Sequence, residues 1–322
     1  MWIDREMAKP GRIERASHSG LVPPPPDWAM EYTQLEPAPN QGECDDLLLP
    51  GLFLRNSSFQ TTLNMSGCGE HERHIFVFLS NMQGEGRLNG KPLPEGLTAV
   101  CGAHPFEAVL PPTDMLGMTI TRDMLNGYLE SVEGLVSPIW MGDGIHTFGD
   151  RKATSRATRM MRTLFARHFD DPSALMDSEA KKSLVSSIMD IIVSIPVGGD
   201  SSAQIDYEWS KRYQVVRRAR EYIIDRIDEP LQIRTICRDI GVSRRALQYS
   251  FQDALGINPI AFVRIFRLNR ARCDLTRTGA HLQVKDVIDR WGFWHPSRFS
   301  GEYRQMFDEL PSETLRRCRP ID

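Results

Sequence analysis

The hydrophobic positions change period twice along the chain. Between about 41 and 121 they come in short or alternating runs, at 47–55, 59–65, 74–79, 98–101 and 115–121, broken by Gly, Pro and Asn. Such runs predict β-strands, and several at this spacing predict a small sandwich or barrel. Asn89 and Gly90, between Leu88 and Lys91, predict a two-residue hairpin turn, because both turn positions take positive φ. From about 122 to 195 the period lengthens. Met161, Leu164, Phe165 and His168 mark one helical face, and Leu184, Ile188, Ile191, Ile192 and Ile195 mark another. Pro196, Gly198, Gly199, Ser201 and Ser202 then predict a linker over 196–206. Residues 1–40, with the proline run 23–26, read as a poorly ordered leader.

The last third repeats itself. Ile233, Ile236, Cys237 and Ile240 form a helical face followed by Gly241, and Val284, Val287, Ile288 and Trp291, followed by Gly292, recur 51 residues later. After one inserted residue the offset is 52, so that Leu247, Phe251, Ala254, Leu255 and Pro259 match Phe299, Tyr303, Met306, Phe307 and Pro311. Each half is an amphipathic helix, a Gly-containing turn and a second amphipathic helix, the signature of a helix-turn-helix. Between the halves, 259–277 keeps continuous helical character. At about 1.5 Å per residue it is about 27 Å long. Two recognition helices joined by it can lie near the roughly 34 Å that separates successive major grooves on one side of DNA.

Charge sharpens this reading. The 322 residues carry a net charge of −3, which by itself points to no polyanionic partner. The average hides an asymmetry: residues 1–204 sum to −9 and residues 205–322 to +6, with 20 of the 22 basic residues there being Arg. A basic C-terminal third is the footprint expected of a nucleic-acid binder. The longest apolar stretch, 188–197, is interrupted by Asp190 and is too short to span a bilayer. Asp4, Arg5 and Glu6 stand where a signal peptide needs apolar residues. Six scattered cysteines without metal-ligand spacing read as reduced thiols, so the expected compartment is the cytoplasm.

The outward helix faces carry the candidate chemistry. Ser243 is placed to cap the second helix of the first unit. Arg245, Gln248, Tyr249 and Gln252 follow on the face opposite Leu247 and Phe251. Arg pairs with guanine and Gln with adenine in the major groove, so Arg245, Gln248 and Tyr249 are candidate base readers. In the second unit Pro296 suits a first helical turn. Ser297, Arg298 and Ser300 are the candidate readers there, beside Gly301. Ser243, Arg244, Arg264, Arg267 and Arg304 are candidates for phosphate contact, with Arg270 continuing the row of Arg264 and Arg267.

At these residues the sequence resembles the AraC/XylS family of bacterial transcription regulators. The likeness covers about 215–319, through VSRRALQYSFQDALGINPIAFVRIFRLNRARCDL and VKDVIDRWGFWHPSRFSGEYRQMFDELPSETLR. The GFWH…LPSETL wording is similar to the branch that contains ethanolamine-operon activators. The resemblance implies base reading by positions matching Arg245, Gln248 and Tyr249, and by Pro296, Ser297, Arg298, Ser300 and Gly301. Tyr249 and Gly301 stand where basic readers are frequent in the family, so the second unit is expected to read sequence less strictly. Ile288 and Asp308 replace a usual small residue and a usual glycine. The resemblance also implies a cupin-like N-terminal domain over 41–195 for an effector or dimer contacts, and a DNA-binding domain over 207–322.

The expected class is therefore α+β: a cupin-like β-barrel or sandwich with accessory helices, then an all-α double helix-turn-helix domain. The expected function is regulation of transcription without enzymatic activity or cofactor. The expected partners are promoter DNA, a second copy of the chain through its N-terminal half, RNA polymerase and a small-molecule effector. An enzymatic alternative is a cupin-type metalloenzyme fused to a DNA-binding domain, since His71, Glu72, His74 and His104 are possible metal ligands. His71 and His74, however, would point to opposite faces of a strand. A third alternative is an N-terminal half that binds protein alone.

Overall fold

The computed structural model describes residues 12–18, 29–38, 42–133, 143–148, 151–170, 175–197, 210–227, 229, 231–276 and 283–318. Among these, a seven-stranded sheet takes β1 (Arg12–His18), β3 (Gly42–Leu49), β4 (Leu52–Phe59), β6 (Arg73–Ser80), β9 (Gly96–Cys101), β11 (Thr113–Thr121) and β12 (Gly144–Phe148), in the order β1-β3-β4-β11-β6-β9-β12. A five-stranded sheet takes β2 (Ala29–Gln34), β5 (Leu63–Cys68), β7 (Gly86–Leu88), β8 (Lys91–Leu93) and β10 (Pro105–Leu110), in the order β2-β5-β10-β7-β8. Alternation along the strands turns Met30, Tyr32, Leu63, Met65, Phe106 and Ala108 of the small sheet onto Phe59, Ile75, Val100 and Met115 of the large one. The described strands thus pair as two open sheets facing one another, in a mixed α/β protein, and not as one closed barrel.

Two expectations change at this level. The run 47–55 is two strands, because Pro50 and Gly51 turn the chain: Leu49 pairs with Leu52, and Gly51 takes φ +76°. The segment read as a leader contributes β1, paired with β3, and β2, paired with β5. Its proline content concealed the alternation that sends Met30 and Tyr32 inward. The proline run 23–26 lies outside the described residues, as do 198–206 of the expected linker and 207–209 of the expected DNA-binding domain. Residues 196 and 197 end a helix.

The outer face of the large sheet is covered by α1 (Arg122–Tyr128), α2 (Arg151–Asp170) and α3 (Ser178–Val197). Met161 and Phe165 of α2 and Leu184, Ile188, Ile191, Ile192 and Ile195 of α3 are buried with Phe76, Leu116 and Met118 of the sheet. These are the stripes the helical period predicts. Among the described residues no helix is long and apolar enough to cross a membrane.

The C-terminal helices are α4 (Lys211–Asp225), α5 (Ile233–Asp239), α6 (Arg244–Leu255), α7 (Pro259–Thr276), α8 (Val284–Arg290), α9 (Pro296–Phe307) and α10 (Pro311–Cys318). Two small cores are strung along α7. Phe262 and Phe266 pack with Leu247, Phe251, Val216 and Ile236, while Leu268, Ala271 and Leu275 pack with Val287, Phe299, Tyr303 and Phe307. The backbone obeys the repeat. Gly241 and Gly292 turn the chain at φ +69° and +67°, and Gly256 and Asp308 end the second helices at +70° and +57°.

The same alternation that fills the sandwich turns Glu31, Asn64, Ser66, Glu107 and Val109 outward from the small sheet. There they meet α4 and α7. Arg220 of α4 lies 3.1 Å from Glu31 and 3.3 Å from Glu107, and donates to Ser66 at 2.6 Å. Glu107 is only 2% exposed. A buried carboxylate stripped of its cation costs about 3–5 kcal/mol, so this contact ties the halves firmly. Arg270 of α7 pairs with Glu31 as well. Asn269 of α7 accepts from the Gln34 amide and donates to its carbonyl, both at 3.0 Å, and the Gln34 side chain donates to the carbonyl of Met306 in α9. At the other end the Asn89–Gly90 turn sits beneath α4. The Asn89 carbonyl accepts from Ser210, and a Cβ on Gly90 would lie 2.6 Å from the Ser210 hydroxyl and within 3 Å of Tyr213. Gly90 therefore answers both to its φ of +77° and to this close approach.

Candidate nucleic-acid interface

In the first unit, α6 begins where the Ser243 hydroxyl accepts from the Ala246 amide at 3.1 Å, satisfying one of the free first-turn donors. Leu247, Ser250, Phe251, Ala254 and Leu255 are buried beneath it. This leaves Arg244, Arg245, Gln248 and Tyr249 on the exposed face. The Arg245 guanidinium lies 5.4 Å from the Tyr249 ring centre, an attraction that steadies two otherwise free side chains. Gln252 turns away and donates to the Gly256 carbonyl, which closes the helix end.

The second unit presents less. Pro296 fills the first position of α9, and the preceding His295 gives no side-chain cap. Ser297, Arg298, Gly301 and Arg304 are exposed, and Ser300 is half-buried. Arg298 donates to Glu302 at 2.8 Å, one turn along, and Glu302 also takes Arg264 of α7. A carboxylate held between two guanidiniums offsets their charge at the place where the second helix would meet DNA.

Two of the expected phosphate contacts make bonds within the protein. Arg264 is drawn onto Glu302. Arg267 donates to the carbonyls of Ile227 and Glu229, at 2.8 and 2.9 Å, so it bonds the loop after α4 to α7. Arg270, third in the row, faces Glu31. A helical step of three places these side chains along α7's flank, where neighbouring elements supply acceptors. Arg244 and Arg304 remain exposed, with Ser243 beside Arg244 at the first helix's start. The residue that sequence reasoning passed over is Trp294, 84% exposed in the turn before α9. Its position in the repeat, one residue short of the helix, was the available signal.

The histidines of the enzymatic alternative differ in exposure. His71 is exposed, His104 is half-buried, and His74 is buried in β6. Burial, with Arg122 nearby, pushes the His74 ring down to about 4, which keeps it neutral. Among the described residues no three His, Cys, Asp or Glu side chains are grouped as metal ligands would be.

Residues 236–317 match the family model described as a helix-turn-helix domain. The chain is 43% identical over 103 residues to the probable thc operon regulatory protein of Rhodococcus erythropolis, across 32% of this chain and 31% of that one. It is 27% identical over 124 residues to a XylDLEGF operon transcriptional activator of Pseudomonas putida, across 38% of each chain. A solved structure, a probable AraC family transcriptional regulator from Rhodopseudomonas palustris, is 34% identical with a TM-score of 0.32, covering 33% of this chain and 99% of that one. The chain spans about a third of the length of the two curated relatives. Its C-terminal helices form a double helix-turn-helix DNA-binding domain. That domain belongs to the AraC/XylS family of transcription regulators.

Proposed function

We propose that the whole protein is a sequence-specific transcription regulator that binds promoter DNA through both units of its 207–322 domain and is controlled through its N-terminal half. The observation that carries this is the repeat: two helices with buried inner faces, joined by the 18-residue α7, each with polar side chains exposed on the outer face. In this reading Arg245, Gln248 and Tyr249 read bases in one major groove, and Ser297, Arg298 and Ser300 read the next. Arg244, Arg304 and the Ser243 turn contact phosphate. The 41–195 segment serves as the cupin-like sensing part. Its state reaches α4 through Glu107, and α4, α7 and α9 through Glu31 and Gln34 of the β2 strand paired to it, so an effector or partner acting on the sandwich biases how the two recognition helices are held.

The further partners in this reading are a second copy of the chain, RNA polymerase and a small-molecule effector. Support for self-association comes from an open groove of about 1180 Å³ between α2 and α3, with Met160, Leu164, Ile191 and Ile195 on its walls. Selection by the full-length protein from a randomised duplex pool tests the proposal. It should enrich a discrete site, bound about 10³-fold more tightly than random duplex, with affinity falling steeply as salt rises. Indifference to sequence would defeat the proposal. Light scattering at micromolar concentration should give twice the monomer mass; a monomer would remove self-association from it.

A further inference from the structure

We propose that Trp294 is a specificity-determining DNA contact of the second unit: its indole packs against the sugar and base edge of the duplex beside α9 and favours a thymine there. The inference rests on the DNA-binding reading above. It begins with exposure. Trp294 is 84% exposed, more than any other large apolar side chain among the described residues. Its neighbour Phe293 points inward and packs at a tilt against Phe299 with ring centres 4.7 Å apart, so the outward turn of Trp294 is not needed to fill the core.

The repeat explains how it came to be free. Gly292 matches Gly241, which puts Trp294 in the place of Ser243, the cap of the first recognition helix. One inserted residue, His295, follows, so α9 starts one position later and Trp294 is relieved of any capping role. It still sits at the N-terminal end of the recognition helix, the end that meets base edges in helix-turn-helix domains. An exposed aromatic also exists in the first unit, Tyr249 at 59%, on the helix itself. Its counterpart in the second unit is Gly301, which has no side chain. The aromatic surface missing from α9 thus reappears in the turn before it.

The surroundings favour a polyanion. A shallow groove of about 610 Å³ runs beside Trp294, and its polar walls are Arg264, Arg267, His295 and Arg298 against the single carboxylate of Glu302. An apolar surface with a basic rim suits a duplex, whose thymine methyl and deoxyribose are apolar between phosphates. Such a contact supplies discrimination where Arg298 is tied to Glu302 and Ser300 is half-buried. It releases no counterion, so its contribution is independent of salt.

The experiment uses full-length protein and the duplex that the wild type itself selects from a random pool. Trp294→Ala should weaken binding to that duplex about tenfold and to random duplex less than about twofold, with the salt slope and thermal midpoint unchanged. Trp294→Phe should recover most of the loss, and the wild-type change in indole emission on binding should disappear in it. Repeating the selection with Trp294→Ala should erase a thymine preference at one position of the second half-site. Equal losses on both duplexes, or no loss, would overturn the proposal. So would intact DNA binding accompanied by lost transcription, which would give Trp294 to a protein partner. A wild type that selects no site would instead defeat the DNA-binding reading itself.

Discussion

The two helix-turn-helix units share a backbone and differ in what they offer. The first caps its recognition helix with a side chain, ends it on glycine and leaves Arg245, Gln248 and Tyr249 exposed. The second starts on proline, ends on Asp308 and holds Arg298 in a triad with Glu302 and Arg264. A matching backbone therefore does not imply a matching surface, because the fold depends on Leu247, Phe251, Phe299 and Tyr303 and the exposed chemistry on the residues between them. In the proposed reading the first unit distinguishes bases by hydrogen bonding. In the same reading the second, with Arg298 tied to Glu302, has fewer free donors for that purpose.

The largest expected effect tests that contrast directly. Arg245→Ala and Gln248→Ala should each cost about 1–3 kcal/mol on the selected duplex and much less on random duplex, while Arg298→Ala should cost under about 1 kcal/mol because Glu302 already competes for it. Titrations against both duplexes measure this; equal effects of Arg245→Ala and Arg298→Ala would break the contrast. Next in size, Arg267→Ala should destabilise the protein by about 1–2 kcal/mol in denaturant unfolding, since a charged donor to two carbonyls is lost. The salt slope of DNA binding should not move. A slope flattened by about one unit would return Arg267 to the phosphate contacts.

Smaller effects sharpen the comparison at the helix ends. Gly256→Ala should cost about 1 kcal/mol, because a Cβ there meets nothing within 4 Å and only the positive φ opposes it. Asp308→Gly, the matching change in the second unit, should gain about 0.5 kcal/mol in the same unfolding experiment. Smallest of all, Glu302→Gln should raise affinity for random duplex about twofold, by releasing two arginines from one carboxylate. A fall in that affinity would mean that Glu302 orients Arg298 for its task.

Much of this was legible in the sequence wherever one local pattern settled the matter. The repeat, the buried stripes of α2 and α3 and the Asn89–Gly90 hairpin all follow from spacing and turn chemistry. The exposed face of α6 follows from Leu247 and Phe251, which fix the opposite one. What escaped depended on distant partners. Arg264, Arg267 and Arg270 form a regular basic row in sequence, yet Glu302, the Ile227 carbonyl and Glu31 claim them from 38, 40 and 239 residues away. The strand Ala29–Gln34 was hidden by the prolines before it, and its reason for being a strand lies in β5 and α7. Trp294 stands in sequence beside Phe293 with nothing local to say which of the two faces out.

Asn269 has a consequence for solubility. β2 is an edge of the small sheet, and an edge strand presents unpaired amides and carbonyls to any strand that drifts by. Asn269 occupies both backbone groups of Gln34, so a helix of the DNA-binding domain takes the place that a neighbouring strand would otherwise fill. The two halves of the chain thus shield one another at this edge. Cutting the chain between them would leave β2 open along its flank, and the separated N-terminal half should become prone to edge-to-edge aggregation.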